Sequence, residues 1–184
     1  MTELTSPGSD DSVRERTETA ELTVFPTQIR REEAESLLAA TDDDLVQTTV
    51  IETLYYPYQI FHFRVQAEAL FNSLDQELVC GVDLCRKKAL LIDDKPELTV
   101  KSVPTDQILP IKHDDVLETA RSYLTTIIHR RLTISRSITL TQQNSYRRYR
   151  PFYHTECQTN DGNCLRYIVD GVTGAFHRIH GVTE

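Results

Sequence analysis

The chain has no tryptophan, one methionine, six glycines and four cysteines among its 184 residues. So few glycines leave little material for a phosphate-cradling loop, and no P-loop, nucleophile elbow, His-Glu-x-x-His pair or doubled Cys-x2-Cys occurs. These absences argue against the common catalytic classes. The expectation is a protein that is not an enzyme and has no cofactor, with an unrecognised enzyme kept as a lesser alternative. No apolar run reaches the roughly 18 residues a membrane helix needs. The opening MTELTSPGSDDSVRERTETAE has no apolar core behind a basic end, so neither a membrane nor a secretory route is expected, and the cytoplasm is. Four cysteines in that setting predict reduced thiols rather than a disulfide scaffold.

Lysine is scarce as well: five, against fifteen arginines, in a chain of net charge −8. Plentiful Asp, Glu and Thr with Arg over Lys resembles proteins of salt-accumulating halophiles, whose acidic surfaces keep the chain solvated. The charge is uneven. Residues 1–45 carry −8, residues 46–129 carry −4 and residues 130–178 carry +5, which suggests that the last third faces a different partner from the first.

Residues 1–22 are polar and lack aromatics, and they are expected to be disordered. After Phe25-Pro26, the spacing of Ala34, Leu37 and Leu38 predicts a short helix over 31–40. The β-rich run from Leu45 is interrupted by Pro57, which predicts two strands, Val46–Tyr55 and Gln59–Val65. Strands over 77–84 and 89–92 follow. Leu109-Pro110 echoes Phe25-Pro26, and Val116, Leu117, Ala120, Leu124, Ile127 and Ile128 form an apolar stripe on a helix over 114–130. A half-buried strand, Leu132–Gln142, precedes a final run of three strands from Tyr149 to Ile179.

The two halves share a skeleton. Tyr55-Tyr56-Pro57-Tyr58 answers Tyr149-Arg150-Pro151-Phe152, and Val82-Asp83 answers Val169-Asp170. The predicted fold class is α+β: two helix-plus-antiparallel-sheet units from a diverged duplication, at 23–104 and 105–184, behind a disordered acidic tail, 1–22. Each helix is expected to pack on the sheet of its own unit. Tyr167-Ile168-Val169-Asp170-Gly171-Val172-Thr173-Gly174-Ala175 resembles the closing hairpin of PepSY-type domains, with their apolar–Val–Asp–x–x–Thr–Gly pattern. The resemblance covers about the last 70 residues and implies a helix on a small antiparallel sheet, in a family that is mostly non-catalytic. In the first unit Arg86-Lys87 stands where Thr-Gly does in the second, which predicts a different turn there.

Several groups of residues are candidates for function. Asp170 with Thr173-Gly174 is a binding acid or, more simply, a turn former. The aromatics beside the prolines, Tyr55, Tyr56, Tyr58, Tyr149, Phe152 and Tyr153 with Arg150, form either a docking surface for a protein partner or second subunit, or the filling between the two units. Tyr146-Arg147-Arg148-Tyr149-Arg150 together with Arg130, Arg131 and Arg136 makes a basic, aromatic patch suited to nucleic acid, an alternative that the overall acidity disfavours. His154, Cys157, Cys164, His177 and His180 gather on one hairpin system. Their spacing matches no zinc pattern, and strand parity sets His154 and Cys157 on opposite faces, so no metal is expected. The favoured function is a protein-interaction or regulatory module. If the composition reflects a high-salt setting, the melting temperature rises between low and molar salt as acidic repulsion is screened; a flat or falling response in a thermal melt refutes it.

Overall fold

Two stretches rich in β-branched and aromatic residues, Leu45–Ala69 and Ser135–Thr159, become the two central strands of the computed structural model. The structure describes residues 18–41, 44–69, 73–92, 97–132 and 135–179. In chain order these form β1 (Thr19–Val24), α1 (Arg31–Ala39), β2 (Leu45–Ala69), β3 (Ser73–Asp83), β4 (Ala89–Ile92) and β5 (Thr99–Pro104). A single 3-10 turn, α2 (Leu117–Arg131), β6 (Ser135–Thr159), β7 (Cys164–Asp170) and β8 (Phe176–Ile179) complete the order. The fold is α+β, with two helices and one mixed sheet of eight strands in which β1 alone runs parallel to its neighbour, β6. No helix among the described residues is long and apolar enough to cross a membrane.

β2 and β6 pair antiparallel along their whole length, from Leu45↔Thr159 to Ala69↔Ser135. The split expected at Pro57 does not occur, and the strands expected to end at Gln142 and to begin at Tyr149 are one. Proline lacks only the donor on one side of the strand. The Pro57 carbonyl accepts the Leu84 N–H at 2.9 Å, so its nitrogen points away from β6, to the side where β3 is turning off. The Pro151 carbonyl accepts the Gly171 N–H at 3.0 Å, the same arrangement at the end of β7. Bulges near Ile51 and Gln143 absorb the remaining misfit.

The other strands line up on the two halves of this pair. β3 and β4 extend the sheet beside residues 58–68 of β2, and β7 and β8 extend it beside residues 152–158 of β6. Phe61, Phe63, Val65 and Ala67 share one face of β2 and meet α2 through Val116, Ala120, Leu124 and Ile128, with Cys80, Val82 and Leu84 of β3 completing the cluster. α1 lies on the same face at the other end, where Ala34 and Leu38 pack on Val50, Tyr153, Cys157 and Val169.

The apolar stripe of the second helix is therefore buried as expected but mainly on strands of the first half, while α1 rests on β2 of its own half as well as on β6 and β7 of the second. The expectation that each helix covers its own unit is corrected for α2, and for α1 only in that strands of the second half share its apolar face. The strand order leaves no alternative, because β2 and β6 each run through both halves. α2 begins at Leu117 rather than at 114, which leaves Asp114 and Asp115 ahead of it, with Glu118 in the first turn and His129, Arg130 and Arg131 in the last.

The expected disorder of 1–22 is also corrected in part; residues 1–17 lie outside the described residues. Thr19–Val24 is a strand, since Leu22 and Val24 are buried and β5, unpredicted from the sequence, pairs with it from Thr19↔Pro104 to Val24↔Thr99. Leu124 has no exposed surface. Leu124→Ala should cost about 2–5 kcal/mol. Because α2 joins the two halves, denaturant unfolding followed by a probe in either half should give one coincident transition; two separated transitions would contradict this packing.

Candidate functional site

The middle of the β2–β6 pair is where the two halves meet, and the same backbone scheme appears there twice. The Phe25 N–H donates to the Tyr149 carbonyl at 2.9 Å, and the Leu109 N–H donates to the Tyr55 carbonyl at 3.1 Å. Gln28 and Ile29 both donate to the Gly171 carbonyl, as Lys112 and His113 both donate to that of Leu84. The chain entering each helix is thus clamped onto the turn of the opposite half.

Those two turns match each other. The Asp83 carbonyl accepts from the Lys87 N–H, and the Asp170 carbonyl from the Gly174 N–H, each at 2.8 Å. The Asp83 carboxylate takes the Cys85 and Arg86 N–H groups, and that of Asp170 takes the Val172 N–H and the Thr173 hydroxyl. Asp170 is accordingly a turn former, buried at 8% exposure. The different turn expected at Arg86-Lys87 is not found: Lys87 adopts φ 58° where Gly174 has φ 74°. A non-glycine residue accepts this left-handed conformation at a cost of about 1–2 kcal/mol, which the Asp83 bonds offset.

Around the turns, the aromatics beside the prolines are core. Tyr55, Tyr56, Tyr58, Phe152 and Tyr153 are all at most 9% exposed, so the exposed docking surface imagined for them is replaced by the filling of the junction. Tyr56 and Phe152 pack ring to ring at 4.6 Å. Arg86 lies over the Tyr56 ring and donates to its hydroxyl, and the Tyr153 hydroxyl donates to the Ile29 carbonyl. Burial raises the Tyr58 hydroxyl well above its usual range, and Asp83 adds to the effect. Tyr149 is half-buried. Arg150 makes a two-pronged bond to Asp170, at 3.0 and 2.6 Å, with both side chains only 12% exposed.

The metal candidates separate. Cys157 is buried under α1, where burial raises its thiol pKa, while His154 is on the other face and pairs with Glu52 at 3.0 Å. His177 lies in the row of His154 and Ile168, its pKa lowered by burial and by Arg86 and Lys88. Cys164 is exposed, and His180 lies outside the described residues. No cluster of three metal-ligating side chains occurs among the described residues. Burial also raises Cys80, to about 12, and Cys85, to about 11, the latter helped by Asp83.

The basic patch is dispersed. Arg130 and Arg131 are exposed at the end of α2, Arg147 is exposed on β6, and the Arg136 side chain lies outside the described ones. Arg148 covers the Tyr146 ring at 4.0 Å, and the Tyr146 hydroxyl is 2.6 Å from His62 Nε2, so that ring is already occupied.

A further feature was not read from the sequence. The first half of β6 is a sheet edge: among the described residues no strand pairs with it between Ser137 and Arg148 on the side away from β2. The matching edge of β2 is capped at Val50, where the N–H donates to Glu35 at 2.8 Å and the carbonyl accepts from Arg31 at 2.7 Å. Among the bonds of the described residues no such helix pair caps β6, where the Ser145 N–H donates to the neighbouring Asn144 Oδ1 at 2.8 Å. Beside it lies an open cleft of about 340 Å³, lined by Glu118, Arg121, Thr125 and His129 of α2 and by Ser137, Ile138 and Leu140. Two buried arginine Nε atoms without a hydrogen-bond partner flank this strip, Arg121 in the cleft and Arg148 beyond its far end. Ser137–Ser145, SITLTQQNS, carries no charge in a chain that is 26% charged. That run was the available signal, and an edge without charge or proline is the kind that accepts another strand.

Compared with known protein families, curated proteins and solved structures, the chain matches none of them. Arg150→Ala should lower stability by about 3–5 kcal/mol, because Asp170 then remains buried without its cation; a chemical melt unchanged within error would show the pair to be dispensable.

Proposed function

We propose that this protein is a non-catalytic interaction module that takes an extended partner segment onto the open edge of β6 beside α2. The unequal treatment of two equivalent edges carries the reading: Arg31 and Glu35 cap the β2 edge at Val50, whereas the β6 edge is uncharged over Ser137–Ser145 and open from Ser137 to Gln142 among the described residues. Backbone pairing along such an edge supplies affinity, and a cleft beside it supplies selectivity for side chains. The repeated backbone scheme supports descent from a duplicated helix-and-hairpin unit, and the Asp170–Gly174 turn supports the likeness to a PepSY closing hairpin. The setting proposed with it is a cytoplasm, salt-rich if the acidic composition reflects its habitat. The partner is a protein rather than a nucleic acid, since Tyr146 is covered by Arg148 and the arginines do not converge.

Thr139 and Thr141 are exposed on this edge. The full chain, immobilised and offered a nuclease-treated extract at native salt, should retain a protein that is lost with the double substitution Thr139→Lys, Thr141→Lys. Retention of nucleic acid alone in an untreated extract, or turnover of a substrate, would replace this reading.

A further inference from the structure

We infer that the segment seated on the β6 edge is β6 of a second copy of this chain, paired antiparallel across a two-fold axis so that two eight-stranded sheets become one. The inference rests on reading that edge as a docking seam, and it names the partner.

The backbone directions come first. The Leu84 N–H bonded to the Pro57 carbonyl shows that from Pro57 to Glu68 the odd residues of β2 face β3, so the even ones face β6. Through the pairs Arg64↔Thr141, Gln66↔Thr139 and Glu68↔Ser137, those three β6 residues turn their N–H and C=O groups towards β2. Ile138, Leu140 and Gln142 therefore turn theirs outwards. The Arg147 carbonyl points the same way and accepts a bond from its neighbour Arg148 at 2.7 Å, a local substitute for a strand partner. A two-fold axis at Leu140 would set Ile138 of each copy against Gln142 of the other, and Thr139 against Thr141.

The charges favour a copy of the same chain over a foreign strand. Each molecule has a net charge of −8, and a symmetric seam brings each charge close to its own duplicate. Ser137–Ser145 has none to bring. The same axis lays the two α2 helices on one face, running in opposite directions. Asp114, Asp115 and Glu118 at the start of one then lie on the side of His129, Arg130 and Arg131 at the end of the other. The two clefts, each lined by an Arg121 whose buried Nε has no hydrogen-bond partner, then join.

The mass of the full chain in solution tests this. Wild type should sediment at twice its 21.1 kDa, and both Thr139→Lys/Thr141→Lys and Thr139→Glu/Thr141→Glu at the single mass, with wild-type melting temperatures less any contribution of dimerisation. An equimolar mixture of the Lys and Glu variants should return to the double mass, since opposite charges then face each other. Amide exchange at Ile138, Leu140 and Gln142 of wild type should quicken on dilution, a readout that requires no variant. A monomeric wild type overturns the inference; if its edge still retains another protein, the interaction reading survives without it. A dimer that persists in both variants, with exchange at these amides independent of concentration, overturns the inference by placing the contact on another face.

Discussion

Everything in this fold hangs on the antiparallel pairing of β2 with β6. Each strand carries 25 residues, about 80 Å if straight at the usual rise, far longer than the five or six residues common in sheets. Such a pair stays in register only if its middle is fixed, because a slip of one residue exchanges the two faces. The fixing is done at Tyr55–Pro57 and Tyr149–Pro151. There the prolines direct bonding outwards to the two turns, and the segments ahead of both helices add a clamp from each side. The Arg150–Asp170 pair and the ring contact of Tyr56 with Phe152 then fill the space those constraints define.

The sequence disclosed the elements better than their connections. Both helices were legible, because Ala34 and Leu38, and Ala120, Leu124 and Ile128, repeat at helical spacing. The Asp170–Gly174 turn was legible from its chemistry. The strand β1 was not, since Thr19–Val24 is polar at every other position and is ordered by β5, a partner some eighty residues away. The continuity of β2 through Pro57 was hidden for a similar reason: whether a proline breaks a strand depends on what stands on the side of its missing donor. Lys87 shows the same limit, as hydrogen bonds to Asp83 impose a conformation that its residue type disfavours.

Function was less legible than fold because the residues that looked chemical are mostly spent on structure. Tyrosines beside prolines in a strand read equally well as a sticky edge or as a core, and only burial separates the two. The feature that sets one edge apart is a lack of charge in nine successive residues, together with a cap at Val50, from Arg31 and Glu35 of α1, on the other. An absence of this kind is inconspicuous until the topology shows that those nine residues lie on an edge.

The clamping of each helix entry onto the turn of the opposite half also governs how the molecule is made. Val24 pairs beside Tyr149, and Ile29 is bonded to Gly171, across well over a hundred residues of chain. A polypeptide leaving the ribosome presents Phe61, Phe63 and Val65 long before α2 exists to cover them, and α1 before β7 exists to receive it. The first half therefore waits, with its apolar face open to water, until α2 has been synthesised, and α1 waits longer still for β7. Contacts so distant along the chain make folding slow and leave the nascent protein dependent on whatever shields it in the interval.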